Sequence, residues 1–116
     1  MRVYISTPIN GRSEATFEEK YAAAEERCTK IIVKLRQTLL FRDAIFTSTF
    51  DNKELGIDDE SVAMGMCVTK VMEADFVVFD YGWCASHGCI VEHCVSLEYD
   101  KIIAHVSDFS IGEYDI

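Results

Sequence analysis

Four short, β-prone apolar runs alternate along this chain with three segments that have helical periodicity. The runs lie at Arg2–Ser6, Ala44–Thr49, Phe76–Asp80 and Lys101–Val106. Strands that are joined through helices pair in parallel, with right-handed crossovers that place helices on both faces of the sheet. The alternation therefore predicts one α/β domain over residues 1–116.

The helical segments carry apolar residues at three- and four-residue steps. Their predicted bounds are Phe17–Leu39, from Asp58 or Asp59 to about Glu73, and from Cys89 to about Tyr99. The resulting fold class is a Rossmann- or flavodoxin-like three-layer sandwich with a four- to five-stranded parallel sheet. The expected strand order is 2-1-3-4, with any fifth strand next to the fourth.

Charge and cysteine content restrict the partners and the compartment. The net charge is −9, from 20 acidic and 11 basic residues, which disfavours a nucleic-acid surface. The five cysteines form an odd set, and the N-terminus reads as a strand with no signal peptide. No stretch approaches the roughly 20 apolar residues that span a bilayer. We expect a cytoplasmic protein with reduced thiols and no membrane partner.

Ligands of parallel α/β sheets bind beyond the carboxyl ends of the strands, where strand order reverses. The loops at that edge are Ser6–Gly11, Thr49–Gly56 and Tyr81–Gly88. In the last loop, Ser86 and Gly88 precede a helix and are suited to holding an anion, with Glu92 about one turn further. The alternative is that Ser86 only caps the helix and Glu92 is solvated.

The periodicity of this last helix suggests which of its faces packs on the sheet. The expected packing stripe is formed by Ile90, Val91, Cys94, Val95 and Leu97. Glu92 lies away from that stripe, which predicts that it is not buried. Its position is equally compatible with a cleft and with solvent.

Three further features of the last loop have two interpretations each. Asp80 ends the third strand and is a candidate for the cleft, although an aspartate there is often only a turn former. Trp83 and Tyr81 are suited to stacking on a base or to covering the cleft mouth. A cluster suggestive of metal ligands comprises Cys84, His87, Cys89, His93 and Cys94, but it lacks a second ligand pair. We expect no metal and no other cofactor.

Two blocks of this sequence resemble the nucleoside 2-deoxyribosyltransferase-like superfamily, which includes the deoxynucleoside 5′-monophosphate N-glycosidases. Tyr4 to Gly11 looks like the Tyr-Ile-Ser-Gly-Pro-Ile-Thr-Gly opening of a small subgroup found in phages and bacteria. The second block comprises Ala74–Val78, Gly82, Trp83, Ser86, Gly88 and Glu92, and Lys101 restarts a strand as in the family. The resemblance covers nearly the whole chain.

The resemblance implies a role for each matching residue. Glu92 would be the nucleophile that attacks the anomeric carbon, Ser86 would bind phosphate or sugar, and the first loop would enclose the substrate. Homodimers or larger homo-oligomers are also implied. The candidate catalytic residues are Glu92 and Asp80, and the candidate substrate-binding residues are Ser6, Pro8, Ile9, Gly82, Trp83, Ser86, His87 and Gly88.

Two departures from the family pattern leave the activity open. Thr7 replaces a glycine of the family pattern. Cys67 replaces an aspartate that helps to protonate or orient the leaving base. A thiol does not take over this role of a carboxyl group at neutral pH. Asp58, Asp59 and Asp80 are possible substitutes, and His87 is an additional titratable group. Three hypotheses remain: N-glycosidic cleavage or transfer on a nucleoside or its monophosphate, nucleotide binding without cleavage, and an interaction module.

Overall fold

A computed structural model of the protein describes residues 1–9, 15–51 and 60–116. Its strands are β1 (Arg2–Ser6), β2 (Ile45–Ser48), β3 (Phe76–Phe79) and β4 (Ile102–His105). All pairings are parallel, and the order β2-β1-β3-β4 confirms the predicted α/β sandwich. The segment after β4 forms two short 3-10 turns, Val106–Phe109 and Glu113–Asp115, instead of a fifth strand.

The helices are α1 (Phe17–Arg36), α2 (Glu60–Glu73) and α3 (His87–Glu98). α1 ends before the predicted Leu39 because Thr38 starts a turn: its hydroxyl donates to the Leu35 carbonyl and accepts from the Phe41 N–H. The predicted start of α2 at Asp58 or Asp59 lies outside the described residues.

The sheet has a different core on each face because strand side chains alternate in direction. Val3 and Ile5 of β1 pack with α1, whereas Tyr4 packs with α2 in a second core. α3 joins this second core through Val95. Tyr4 and Ser6 therefore project toward the face that α2 and α3 cover.

Strand order reverses at β1. The second strand of the chain, β2, pairs with one edge of β1, and the third strand, β3, pairs with the opposite edge. The carboxyl ends of β1 and β3 are joined by a hydrogen bond of 2.9 Å from the Asp80 N–H to the Ser6 carbonyl. This junction is the point at which the topology predicts a binding crevice. Among the described helices, none is both long enough and apolar enough to cross a membrane.

Candidate functional site

A buried carboxylate, Glu92, lies at the junction of β1 and α3 and is only 5% exposed. Tyr4 donates its hydroxyl to Oε2 at 2.5 Å, and Ser6 donates its hydroxyl to Oε1 at 2.8 Å. Each carboxylate oxygen therefore accepts one hydrogen bond from β1. We call Tyr4, Ser6 and Glu92 the carboxylate site.

The predicted packing face of α3 was wrong except at Val95, which packs against the second core. The buried residues of the helix are Cys89, Glu92 and Ser96, whereas Ile90, Val91 and Leu97 are exposed. Helical periodicity identifies an apolar stripe, but it does not say what lies opposite the helix. Here β1 offers two hydroxyl donors, and a buried carboxylate that is hydrogen-bonded avoids the full cost of desolvation.

Burial raises the pKa of Glu92 above its ordinary value, and the hydrogen bonds from Tyr4 and Ser6 offset only part of that shift. The pKa of Tyr4 is raised well above its ordinary value, first by burial and then by the neighbouring Glu92 charge. Tyr4 consequently stays protonated and serves as a donor. The two hydrogen bonds hold the Glu92 carboxyl group in one orientation.

Cys67 lies beside this network on α2. Its thiol donates to the Thr49 hydroxyl at 3.2 Å and also interacts with the Tyr4 hydroxyl. The position that is acidic in the resembling family therefore adjoins the carboxylate site through Tyr4.

Ser86, His87 and Gly88 form the start of α3. Ser86 is the N-cap, and its hydroxyl accepts from the Cys89 N–H at 3.5 Å. The cap that the alternative interpretation predicted is confirmed, whereas its solvated Glu92 is wrong. His87 is exposed. Gly88 is partly buried, and a Cβ added at this glycine would lie 3.4 Å from the methyl carbon of Met64. These three residues directly precede Cys89 in the chain and lie about one helical turn before Glu92.

Asp80 is fully buried and bound by a cation that sequence reasoning missed. Arg27 of α1 donates to Oδ2 at 2.6 Å and to Oδ1 at 3.0 Å, and the Tyr81 N–H donates to Oδ1 at 2.6 Å. Arg27 also donates to the Glu113 carbonyl at 3.1 Å. Asp80 thus joins α1, β3 and the C-terminal turn, on the face of the sheet opposite Glu92.

The first and third loops meet at Pro8 and Gly82. A Cβ on Gly82 would lie 3.9 Å from Pro8, and Gly82 itself has φ 78°, a left-handed conformation that favours glycine. Ile9 packs against the core on the α1 side. Pro8 and Gly82 therefore adjoin the crevice, while Ile9 anchors the loop to α1.

The Trp83 indole is already stacked. Its ring lies 4.3 Å from the His93 ring with an interplanar angle of 13°. That face of the indole is occupied and does not offer a platform for a base. Among the described residues, no group of three or more His, Cys, Asp or Glu side chains is arranged to hold a metal ion.

Two residues that matter here, Tyr4 and Arg27, were not predicted as site residues. The alternation of side chains along β1 was a usable signal for Tyr4, because it places Tyr4 on the same face as Ser6. No local pattern marks Arg27, since its partner Asp80 is 53 residues away.

Comparisons with family models, with curated proteins and with solved structures each return no match for this chain. The geometry of the site is therefore the basis for any functional conclusion.

Proposed function

We propose that this protein cleaves or transfers the N-glycosidic bond of a nucleoside or its 5′-monophosphate, with Glu92 as the nucleophile. The observation that carries the proposal is a buried glutamate with one hydroxyl donor on each oxygen, next to the crevice where strand order reverses. Such a carboxylate is positioned and partly desolvated, which suits attack on an electrophilic carbon.

The chemistry follows the logic of retaining glycosidases. A Glu92 oxygen bonds to the anomeric carbon while the bond from that carbon to the base nitrogen breaks. The electron pair of the broken bond stays with the base nitrogen, which is protonated from water. Water then attacks the glycosyl ester and frees the sugar, or a second base takes it. Tyr4 and Ser6 hold the carboxylate in line for both steps.

The start of α3 supports a nucleotide as substrate. Free N–H groups at a helix N-terminus bind phosphate, and the Ser86 hydroxyl and the Gly88 backbone are located there. The same helix carries Glu92, so one element would fix both the phosphate and the nucleophile. This arrangement does not depend on net positive charge, which the chain lacks.

A panel of nucleosides and 5′-monophosphates, with chromatographic detection of free base, tests the proposal. We expect release of free base from at least one member of the panel. Because a transferase needs an acceptor, each reaction is run with and without a second free base. Absence of base release and of base exchange across the panel would contradict the proposed activity.

We expect Tyr4→Phe to move the pH dependence of base release to higher pH. The Tyr4 hydrogen bond lowers the pKa of Glu92, so removing it raises that pKa further. Ionised Glu92 is then present only at higher pH. The acidic limb of the pH–rate profile reports the shift, and Tyr99→Phe, at an exposed tyrosine, is the matched control. An unshifted acidic limb would argue against this role of Tyr4.

A second candidate function is nucleotide binding without cleavage. Two observations favour it: Asp80 is engaged by Arg27 on the opposite face, and Cys67 occupies the position expected to be acidic. Neither residue then helps the base to leave. Co-purification of an intact nucleotide, with no turnover in the panel, would support this alternative over catalysis.

We also propose that two copies associate through the outer face of α3, in keeping with the homodimer that the family resemblance implies. Ile90, Val91 and Leu97 are 37%, 38% and 59% exposed on this helix. In a chain of net charge −9, contact between copies is easiest where the surface is apolar.

The five free cysteines fit a reducing cytoplasm, which we propose as the compartment.

Leu97→Lys is expected to convert the dimer to a monomer, because it places a charge on the apolar face at its most exposed residue. Size-exclusion chromatography with light scattering measures the mass. Leu39→Lys, at a leucine that is 87% exposed outside α3, is the control and should stay dimeric. A wild-type protein that is monomeric at every concentration would contradict this interface.

A further inference from the structure

Two histidines from different elements meet at one tryptophan in the loop after β3. His93 of α3 lies flat on the Trp83 indole, with ring centroids 4.3 Å apart and an interplanar angle of 13°. The centroid of the His105 ring, at the end of β4, lies 6.0 Å from the same indole. The two imidazoles also share Phe79 as a neighbour, at centroid distances of 5.0 Å and 6.1 Å. We call Phe79, Trp83, His93 and His105 the ring cluster.

The ring cluster fixes the position of the turn Trp83–Ala85. Backbone hydrogen bonds close this turn on itself: the Trp83 N–H donates to the Asp80 carbonyl at 3.3 Å, and the Ala85 N–H donates to the Gly82 carbonyl at 3.1 Å. The side chain of Trp83 then packs the turn against α3 and β4 through its ring contacts. Because Gly82 adjoins Pro8, the position of the turn also sets one wall of the crevice.

The charged groups around His93 disfavour its protonation. Burial lowers the pKa of His93, and the charge of His105 lowers it further. Among the described residues, no carboxylate offsets these two effects. Glu92, the preceding residue, is held by its two hydroxyl donors from β1, and Asp108, beside His105, accepts from the His105 backbone N–H at 2.7 Å. Cys84, in the same turn, carries a thiol, which adds no charge in acid.

Acid therefore destabilises the ring cluster. Since a charged His93 is less stable in the cluster than in water, the closed arrangement loses stability as the pH falls from the ordinary imidazole range through the lowered pKa of His93. Above that range His93 is neutral and the stack on Trp83 is at its most stable. Once both imidazoles are charged, they also repel each other.

We propose that the ring cluster is a pH-sensitive clamp, which holds the turn Trp83–Ala85 closed at neutral pH and releases it in acid. Release moves Gly82 away from Pro8, so a ligand in the crevice loses one of its walls. The clamp does not rest on the proposed glycosidic activity, because it needs no substrate and applies equally to cleavage and to binding without cleavage.

Acrylamide quenching of tryptophan fluorescence tests the clamp, because Trp83 is the only tryptophan in the chain. We expect the quenching constant to rise about two-fold as the pH is lowered from about 7.5 to about 5, across the imidazole range. Far-UV circular dichroism should stay unchanged over this range, because the turn opens while the fold persists. An unchanged quenching constant, or a rise that accompanies loss of the helical signal, would overturn the proposal. So would a quenching constant that falls in acid, because a charged imidazole would then bind the indole more tightly.

Variants of the three histidines in the chain assign the change. His93→Phe keeps a stacked ring without a titratable group and should show the low quenching constant of the neutral wild type at every pH. His105→Gln removes the second charge and should reduce the rise. His87→Gln, at an exposed histidine outside the ring cluster, is the matched control and should keep the full rise. A full rise in His93→Phe, or loss of the rise in His87→Gln, would place the titrating group elsewhere and contradict the clamp.

Discussion

Replacing Glu92 with glutamine is expected to reduce base release by at least about 10³-fold, because an amide does not form the glycosyl ester. The fold should persist, since the glutamine carbonyl accepts from one hydroxyl and its NH₂ donates to the other. The measurement is the rate of base release by purified variant and wild type on the same substrate. Glu98→Gln is the matched control, because Glu98 lies on the same helix and is exposed.

The same substitution is expected to stabilise the protein by about 1 kcal/mol at neutral pH, because it replaces a buried carboxyl group with a neutral amide. Burial raises the pKa of Glu92, so the folded state binds the proton more tightly than the unfolded state. The free energy of unfolding of the wild type therefore falls as pH rises from the ordinary carboxyl range through the raised pKa. The glutamine variant lacks this dependence.

Urea denaturation of the wild type and Glu92→Gln at several pH values measures the effect on the free energy of unfolding. Together with the rates of base release, it separates a loss of activity from a change in stability. If Glu92 is the nucleophile, activity is lost while stability at neutral pH increases. Loss of activity together with a loss of stability would mean that Glu92 has a mainly structural role. Full activity in the variant would refute the nucleophile assignment.

Replacing Arg27 with methionine is expected to destabilise the protein by about 3–5 kcal/mol. Asp80 is completely buried, and Arg27 binds both of its oxygens. Without Arg27, the carboxylate loses its counter-ion and, within the part of the chain that the structure describes, keeps only the hydrogen bond from the Tyr81 N–H. The hydrogen bond to the Glu113 carbonyl is lost too, so the C-terminal turn should loosen.

The free energy of unfolding from urea titration measures this loss. Lys30→Met is the control on the same helix: Lys30 pairs with Glu26 at 3.4 Å on the surface, and such pairs contribute about 0–1 kcal/mol. Combining Arg27→Met with Asp80→Asn removes the buried charge and should recover much of the stability. Equal costs for Arg27→Met and Lys30→Met would contradict a buried ion pair of this importance.

The helix α3 shows where prediction from sequence stops. The serine at position 86 is a favourable N-cap, and the structure has the helix begin directly after it. The inward direction of Glu92 was not predictable from the helix itself. It depends on Tyr4 of β1, which is 88 residues away, and Tyr4 and Ser6 provide the donors that make burial of a carboxylate tolerable.

The interactions of Asp80 and Trp83 also depend on residues that are distant in the sequence. Their positions in the loop at the sheet edge followed from the sequence, because the carboxyl ends of parallel strands share one edge. The sequence did not predict which side chains would contact them. Arg27 reaches Asp80 from α1, and His93 reaches Trp83 from α3, and only the packing of these helices shows that both side chains are already engaged.

The sequence by itself determined the parallel α/β architecture, the strand order and the edge of the sheet at which the candidate site lies. It did so because period-2 and helical patterns, crossover handedness and turn residues are local properties of the chain. The tertiary structure decided which α3 face is buried, which carboxylate stands in the crevice and which is bound to arginine. Those outcomes depend on desolvation and hydrogen bonding between residues that are distant in sequence, which local patterns do not encode.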